Sequence, residues 1–136
     1  MRKDIAFQSY LEDFMRIAYP SAPVAEDDYY LVYAKTSVPD DAILPYLTYE
    51  FVDADFLDGD VSIEVDLWNR TESEAEMNRV AREFRHYINN NDLIACDEGK
   101  MWIKAGNPFS SPIPIEGEAN GLKGRMINLT IEHLTR

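Results

Sequence analysis

One stretch constrains the fold more than any other. Residues 45–51 read Pro-Tyr-Leu-Thr-Tyr-Glu-Phe, residues 61–68 read Val-Ser-Ile-Glu-Val-Asp-Leu-Trp, and Asp58-Gly59-Asp60 stands between them. In the second run Val61, Ile63, Val65 and Leu67 alternate with Ser62, Glu64 and Asp66, the two-residue period of a strand with one buried face. Asp58-Gly59 supplies residues that tolerate the positive φ of a tight turn. A helical pattern opens next: Thr71 with Glu74, or Ser73 with Glu76, fits a capping box. Met77, Val80, Ala81, Phe84 and Ile88 then recur at three- and four-residue spacing, up to Asn89-Asn90-Asn91. Strand, turn, strand and helix in this order predict an antiparallel pair followed by a packed helix. No catalytic signature interrupts the run.

The flanks extend this pattern. Lys3 to Tyr19 predicts a helix whose apolar side carries Ile5, Tyr10, Leu11, Phe14, Ile17 and Ala18, stopped by Pro20 and Pro23. Tyr29 to Tyr33 is β-prone and fits a short strand, and a loop follows it. Asp40 and Asp41 make a helix over Pro39–Leu44 a rival reading. Leu93–Cys96 and Met101–Ala105 predict a hairpin turning near Glu98-Gly99. Gly106 to Pro114 is rich in proline, which argues against a ladder-bonded central strand there and predicts a long loop running on to Gly124. The final strand, Arg125–Leu134, sets Ile127, Leu129, Ile131 and His133 against Met126, Asn128, Thr130 and Glu132. The expected fold is one α+β domain over residues 1–136. Its mostly antiparallel sheet has about four to five strands, with two main helices packed on one face.

Composition narrows the function. The net charge is −12, from 25 acids against 13 bases, which opposes nonspecific binding to nucleic acid and to anionic membranes. Arg79, Arg82 and Arg85 sit among Glu74, Glu76 and Glu83, the pattern of a solvated helix face. Cys96 is the single cysteine, so no internal disulfide forms, and a buried thiol in a reducing compartment is expected. Residues 1–13 lack an apolar signal core, and no apolar run reaches membrane-spanning length, so a cytoplasmic chain is expected. His86, His133 and Cys96 show no zinc-ligand spacing. The acidic stretch Asp53–Glu64 fails as a calcium loop, because Leu57 takes the third ligand position and Gly59 falls one place late. Glu64 and Asp66 share a strand face. Such a pair does acid–base chemistry only if its pKa values are split, and solvent or interface charges are the expected role. Gly117, Gly121 and Gly124 follow no strand that leads into a helix, so no phosphate loop is formed. The expectation is a non-enzyme without metal or cofactor. Tyr46, Tyr49 and Trp68 are expected to straddle core and edge, where aromatic side chains can anchor interfaces.

The order of these pieces resembles the tail terminator, or tail-completion, proteins of long-tailed bacteriophages and the related minor tail proteins. The resemblance rests on the Pro45–Phe51 strand, the strand ending Val65-Asp66-Leu67-Trp68-Asn69-Arg70, the Thr71–Asn90 helix and the late Arg125–Leu134 strand, and it covers about residues 43–136. It implies a small subunit that forms a ring, often a hexamer, on the end of the tail tube. Such a ring stops tube polymerisation and presents a surface for head joining. Its implied partners are its own copies, the tube protein and head–tail connector proteins, within a virion assembled in the bacterial cytoplasm. An acidic lumen would let DNA slide rather than stick. Head-to-tail ring closure needs two unlike patches on each subunit. The candidates are the turn at Phe56, Leu57 and Asp58, and the segment bearing Asn107, Pro108, Phe109, Pro112 and Ile113. Two alternatives remain open: another head–tail neck component, and a small acidic binding module that mimics nucleic acid. An enzyme using Glu64, Asp66 or Cys96 ranks last, for want of a second catalytic partner.

Overall fold

The computed structural model describes residues 2–20, 31–40, 42–51, 60–71, 73–97, 99–115 and 121–135. Along them run helix α1 (Lys3–Ala18), strand β1 (Val32–Ala34), a 3-10 turn (Lys35–Ser37), β2 (Tyr46–Phe51) and β3 (Asp60–Arg70). Helix α2 (Glu74–Asn90), β4 (Leu93–Cys96), β5 (Gly99–Ile113) and β6 (Leu122–Thr135) follow. The strands form one sheet in the order β1-β2-β3-β6-β5-β4. The class is α+β, but among the described residues the sheet has six strands, not four to five, and it is mixed. β1 runs parallel to β2 while every other neighbour is antiparallel. The extra strand is only three residues long. A parallel partner arrives by a crossover rather than a turn, so no local hairpin signal marks it. The described residues of Pro39–Leu44 are not helical.

The two-residue alternation in β3 fixes which face is buried. Val61, Ile63, Val65 and Leu67 stand opposite Ile131, Leu129, Ile127 and Arg125 of β6. β2 adds Leu47 and Tyr49 to the same face, and β5 adds Met101 and Ile103. α2 covers this face with the five side chains its periodicity predicts: Met77, Val80, Ala81, Phe84 and Ile88. α1 is rotated from the predicted face. Ala6, Phe7, Tyr10, Leu11, Phe14, Met15 and Ala18 are buried, whereas Ile5 is 45% and Ile17 62% exposed. Two overlapping stripes compete on this helix, and the one with the greater aromatic area goes inward.

α1 touches β1 and β2 near one edge of the sheet and β4 at the other, so the sheet curls around it. Hydrogen bonds hold both edges. The Tyr49 hydroxyl donates to Gln8 Oε1 at 2.9 Å, and the Tyr10 hydroxyl donates to the Asn91 carbonyl at 2.7 Å. Burial raises the pKa of the Tyr10 phenol, with Tyr87 and Asp92 adding to the shift. It therefore stays a donor at neutral pH.

At the start of α2 the second of the two capping registers is used: Ser73 Oγ accepts the Glu76 N–H at 3.3 Å. Ser73→Ala is expected to destabilise the fold by about 1 kcal/mol, through loss of that acceptor. Urea unfolding would read this as a lower midpoint at unchanged slope, and an unchanged midpoint would show that the cap carries no weight.

β5 corrects the predicted loop. It continues through Pro108 and Pro112 to Ile113, with Ser110, Ser111, Pro112 and Ile113 paired to Ile127, Met126, Arg125 and Gly124. The register shifts between Ala105 and Ser110. Proline is tolerated for two reasons. The irregularity takes up Pro108. β4 pairs only with Gly99–Trp102, so the rest of β5 is an edge strand on its outer side, where a missing N–H breaks no ladder. β6 correspondingly begins at Leu122 rather than Arg125.

Candidate functional site

The interface residues expected from sequence fall in two separate segments, and only the second lies among the described residues. Phe56, Leu57 and Asp58 lie outside the described residues. Asn107 and Pro108 are exposed at the β5 irregularity, where the Pro108 carbonyl accepts from Asn128 Nδ2 at 2.9 Å. The close approach there depends on Gly106: a Cβ on it would stand 2.8 Å from the Asn128 carbonyl oxygen. Phe109 is half-buried against the core on the α2 side, with the Arg85 guanidinium 5.5 Å above its ring centre. Pro112 pairs with Arg125 on that same side, and Ile113 pairs with Gly124, which lies opposite Trp68 on the far face. The segment therefore serves both faces of the sheet.

The face of the sheet turned away from the helices is the more distinctive surface. Thr48, Glu50, Glu64, Asp66, Trp68 and Glu132 lie there, because each alternates with a core residue on its strand. Trp68 donates its indole N–H to Thr48 Oγ1 at 3.2 Å. Its ring packs against Gly124, where a Cβ would come within 2.7 Å of Cζ3. Glu50 stands directly opposite Glu64 and pairs with Lys35 at 3.6 Å. Glu132 pairs with Lys104 at 3.7 Å, and Lys104 Nζ lies 4.6 Å from the Trp102 ring centre.

Asp66 is the exception among the carboxylates of this face, because it is 6% exposed. Its Oδ1 has no hydrogen-bond partner among the described residues. Burial, then the charge of Glu64 and a side-chain hydrogen bond with it, pushes the Asp66 carboxyl up to about 7, while Lys35 pulls the other way. The alternation in sequence places Glu64 and Asp66 together, as expected. It gives no sign that one of them is buried, since burial is set by tertiary neighbours. The pair can hold a proton near neutrality.

Sequence reasoning also missed Arg125, Asn78 and Ser110, which meet on the opposite side of the sheet. Arg125 lies in β6 in register with Leu67, so it enters the helix-covered face rather than solvent. Its guanidinium donates to Asn78 Oδ1 of α2. The only sequence signal was an arginine at an in-facing position of the strand alternation.

Among the described residues no group of three or more His, Cys, Asp or Glu side chains is placed to hold a metal ion. No helix among them is long and apolar enough to cross a membrane. Cys96 is buried, and His86 is exposed on α2. No protein-family model matches the chain, and no curated protein matches it.

Proposed function

We propose that the protein is a structural subunit of a phage or prophage virion. In this reading it is a tail terminator that closes into a ring on the tail tube, halts tube growth and offers a surface for head joining. The observation that carries the reading is the unlikeness of the two faces of its sheet. One is covered by helices, and arginines line its α2 side. The other is free of helices among the described residues and presents carboxylates and tryptophans. A heterologous ring needs such a non-self-complementary pair of surfaces, because each subunit gives one patch and receives another. The element order that resembles tail-completion proteins adds support, and so does the acidic balance, which disfavours adhesion to DNA passing through a lumen. No residue is assigned a catalytic role.

Light scattering coupled to size-exclusion chromatography, over a wide concentration range, tests the reading. Closed rings of one size, confirmed by negative-stain images and favoured at high concentration by mass action, are the expected result. A strict monomer at every concentration, which also fails to cap purified tail tubes, would sink it.

A further inference from the structure

Between α2 and the β5–β6 hairpin lies a cleft of about 550 Å³, with Asn78, Arg82, Arg85, Phe109, Ser110 and Arg125 on its walls. Three arginines thus converge on one cleft in a chain of net charge −12. Arg82 and Arg85 are exposed at its rim, and no carboxylate among the described residues lies within ion-pair distance of either. Arg125 is 8% exposed. Its Nη2 donates to Asn78 and lies 3.7 Å from Glu74. Its Nε is buried without a partner among the described residues, and so is the Oγ of Ser110, which lines the same cleft. A buried donor without an acceptor is unfavourable, so folded proteins seldom leave one. Two such groups on one cleft wall, ringed by cations, describe a site lacking its acceptor.

We propose that this cleft is an oxyanion site that takes a carboxylate from an acidic polypeptide segment, with an apolar neighbour of that carboxylate packed on Phe109. Two features favour a protein carboxylate over a phosphate chain. Glu74 already partners Arg125 Nη2, which leaves room there for a single negative charge. The remaining donors, Arg125 Nε–H, the Ser110 hydroxyl and the rim guanidinium groups, suit the planar two-oxygen geometry of a carboxylate. Phe109 is held in place by Arg85 above its ring, so the apolar wall is preformed. The inference goes beyond the ring reading and does not depend on it.

The test titrates two probes into the full chain and follows the arginine Nε–H signals by NMR. One probe is a synthetic peptide with the sequence of residues 53–60, which carries four aspartates beside a Phe-Leu pair. The other is inorganic phosphate. Saturable shifts at Arg125 and Arg85 with the peptide are expected. Arg85→Glu and Arg82→Glu, both at exposed positions, should each weaken binding about tenfold or more, which is about 1.4 kcal/mol per factor of ten. Lys35→Glu, distant from the cleft, should leave binding within about twofold, since a remote exposed charge is screened. Three results would overturn the proposal. One is equal weakening by Lys35→Glu, which would mean diffuse charge attraction. Another is phosphate binding tighter than the peptide and displacing it, which would mean a small-anion site. The third is an absence of shifts with either probe.

Discussion

Phe84→Ala is expected to lower the stability of the fold by about 3–5 kcal/mol. Phe84 is fully buried, and its ring centre lies 4.4 Å from that of Phe14, itself 1% exposed. Phe14 in turn lies 5.5 Å from the Tyr87 ring. These rings join α1 to α2 above the sheet, so truncation removes contact area from both helices and leaves a cavity that rigid β-strands below do not collapse to fill. Against a total of about 5–15 kcal/mol for a domain of this kind, the loss is a large fraction. Urea unfolding would show it as a markedly lower midpoint. A double-mutant cycle with Phe14→Ala is expected to give a coupling of about 0.5–1.5 kcal/mol, the value of an aromatic pair beyond its area. Full additivity would show that the two rings pack independently.

The second large effect depends on pH. The Asp66 carboxyl is raised from 3.8 to about 7 in the folded chain, first by burial and then by Glu64. The sign follows from proton counts. Between the unfolded value and the folded one, the native state holds a proton that the unfolded chain has released, so stability falls as pH rises through that window. Below the window both states are protonated. Above it both are ionised, and the native state bears a buried charge near Glu64 and Glu50. Asp66→Asn keeps the shape and cannot ionise. It is therefore expected to be near neutral at about pH 4 and to stabilise the fold increasingly up to about pH 7, by a few kcal/mol at the upper end. Urea unfolding of both proteins at a series of pH values checks this. A difference that stays constant from pH 4 to pH 8 would show that Asp66 titrates like an exposed carboxylate. The depressed pKa of Glu76, held by its hydrogen bond to Arg79, acts in the opposite direction in both proteins and cancels in the comparison.

The legible parts of the fold were those whose determinants lie close together in sequence. The β2–β3 pair, the α2 face and the β4–β5 turn each follow from a short-range period or a glycine, and they sit where the pattern puts them. β1 was legible in part: Tyr29 to Tyr33 reads as β-prone and Val32–Ala34 overlaps its end, but its parallel pairing with β2 depends on a crossover that no local period reports. The path of β5 through two prolines depends on its outer side being an edge beyond Trp102, which is a property of sheet order. The face of α1 was misread because Ile5 and Ile17 extend a plausible stripe, while the ring area of Phe7, Tyr10 and Phe14 decides the packing. Of the candidate surfaces, the carboxylates on β3 were readable as a shared face. The cleft at Arg125 was not, because its donors come from α2, β5 and β6, and only the folded chain places them together.

The position of β6 bears on how the sheet is completed. It is the last of the described strands in chain order, yet it lies between β3 and β5, so the middle of the sheet is filled by a strand synthesised after both of its neighbours. Until residues 122–132 arrive, β3 has one bare edge and the β4–β5 hairpin has no neighbour to dock against. The early and late portions therefore form two unfinished pieces rather than a growing sheet. Closing the sheet joins Asp60 to Glu132, a contact across half the chain, and such distant pairings make folding slower and more nearly all-or-none. A chain interrupted before β6 would lose the seam that makes the two pieces one sheet, and would expose long strand edges to other chains in the cell.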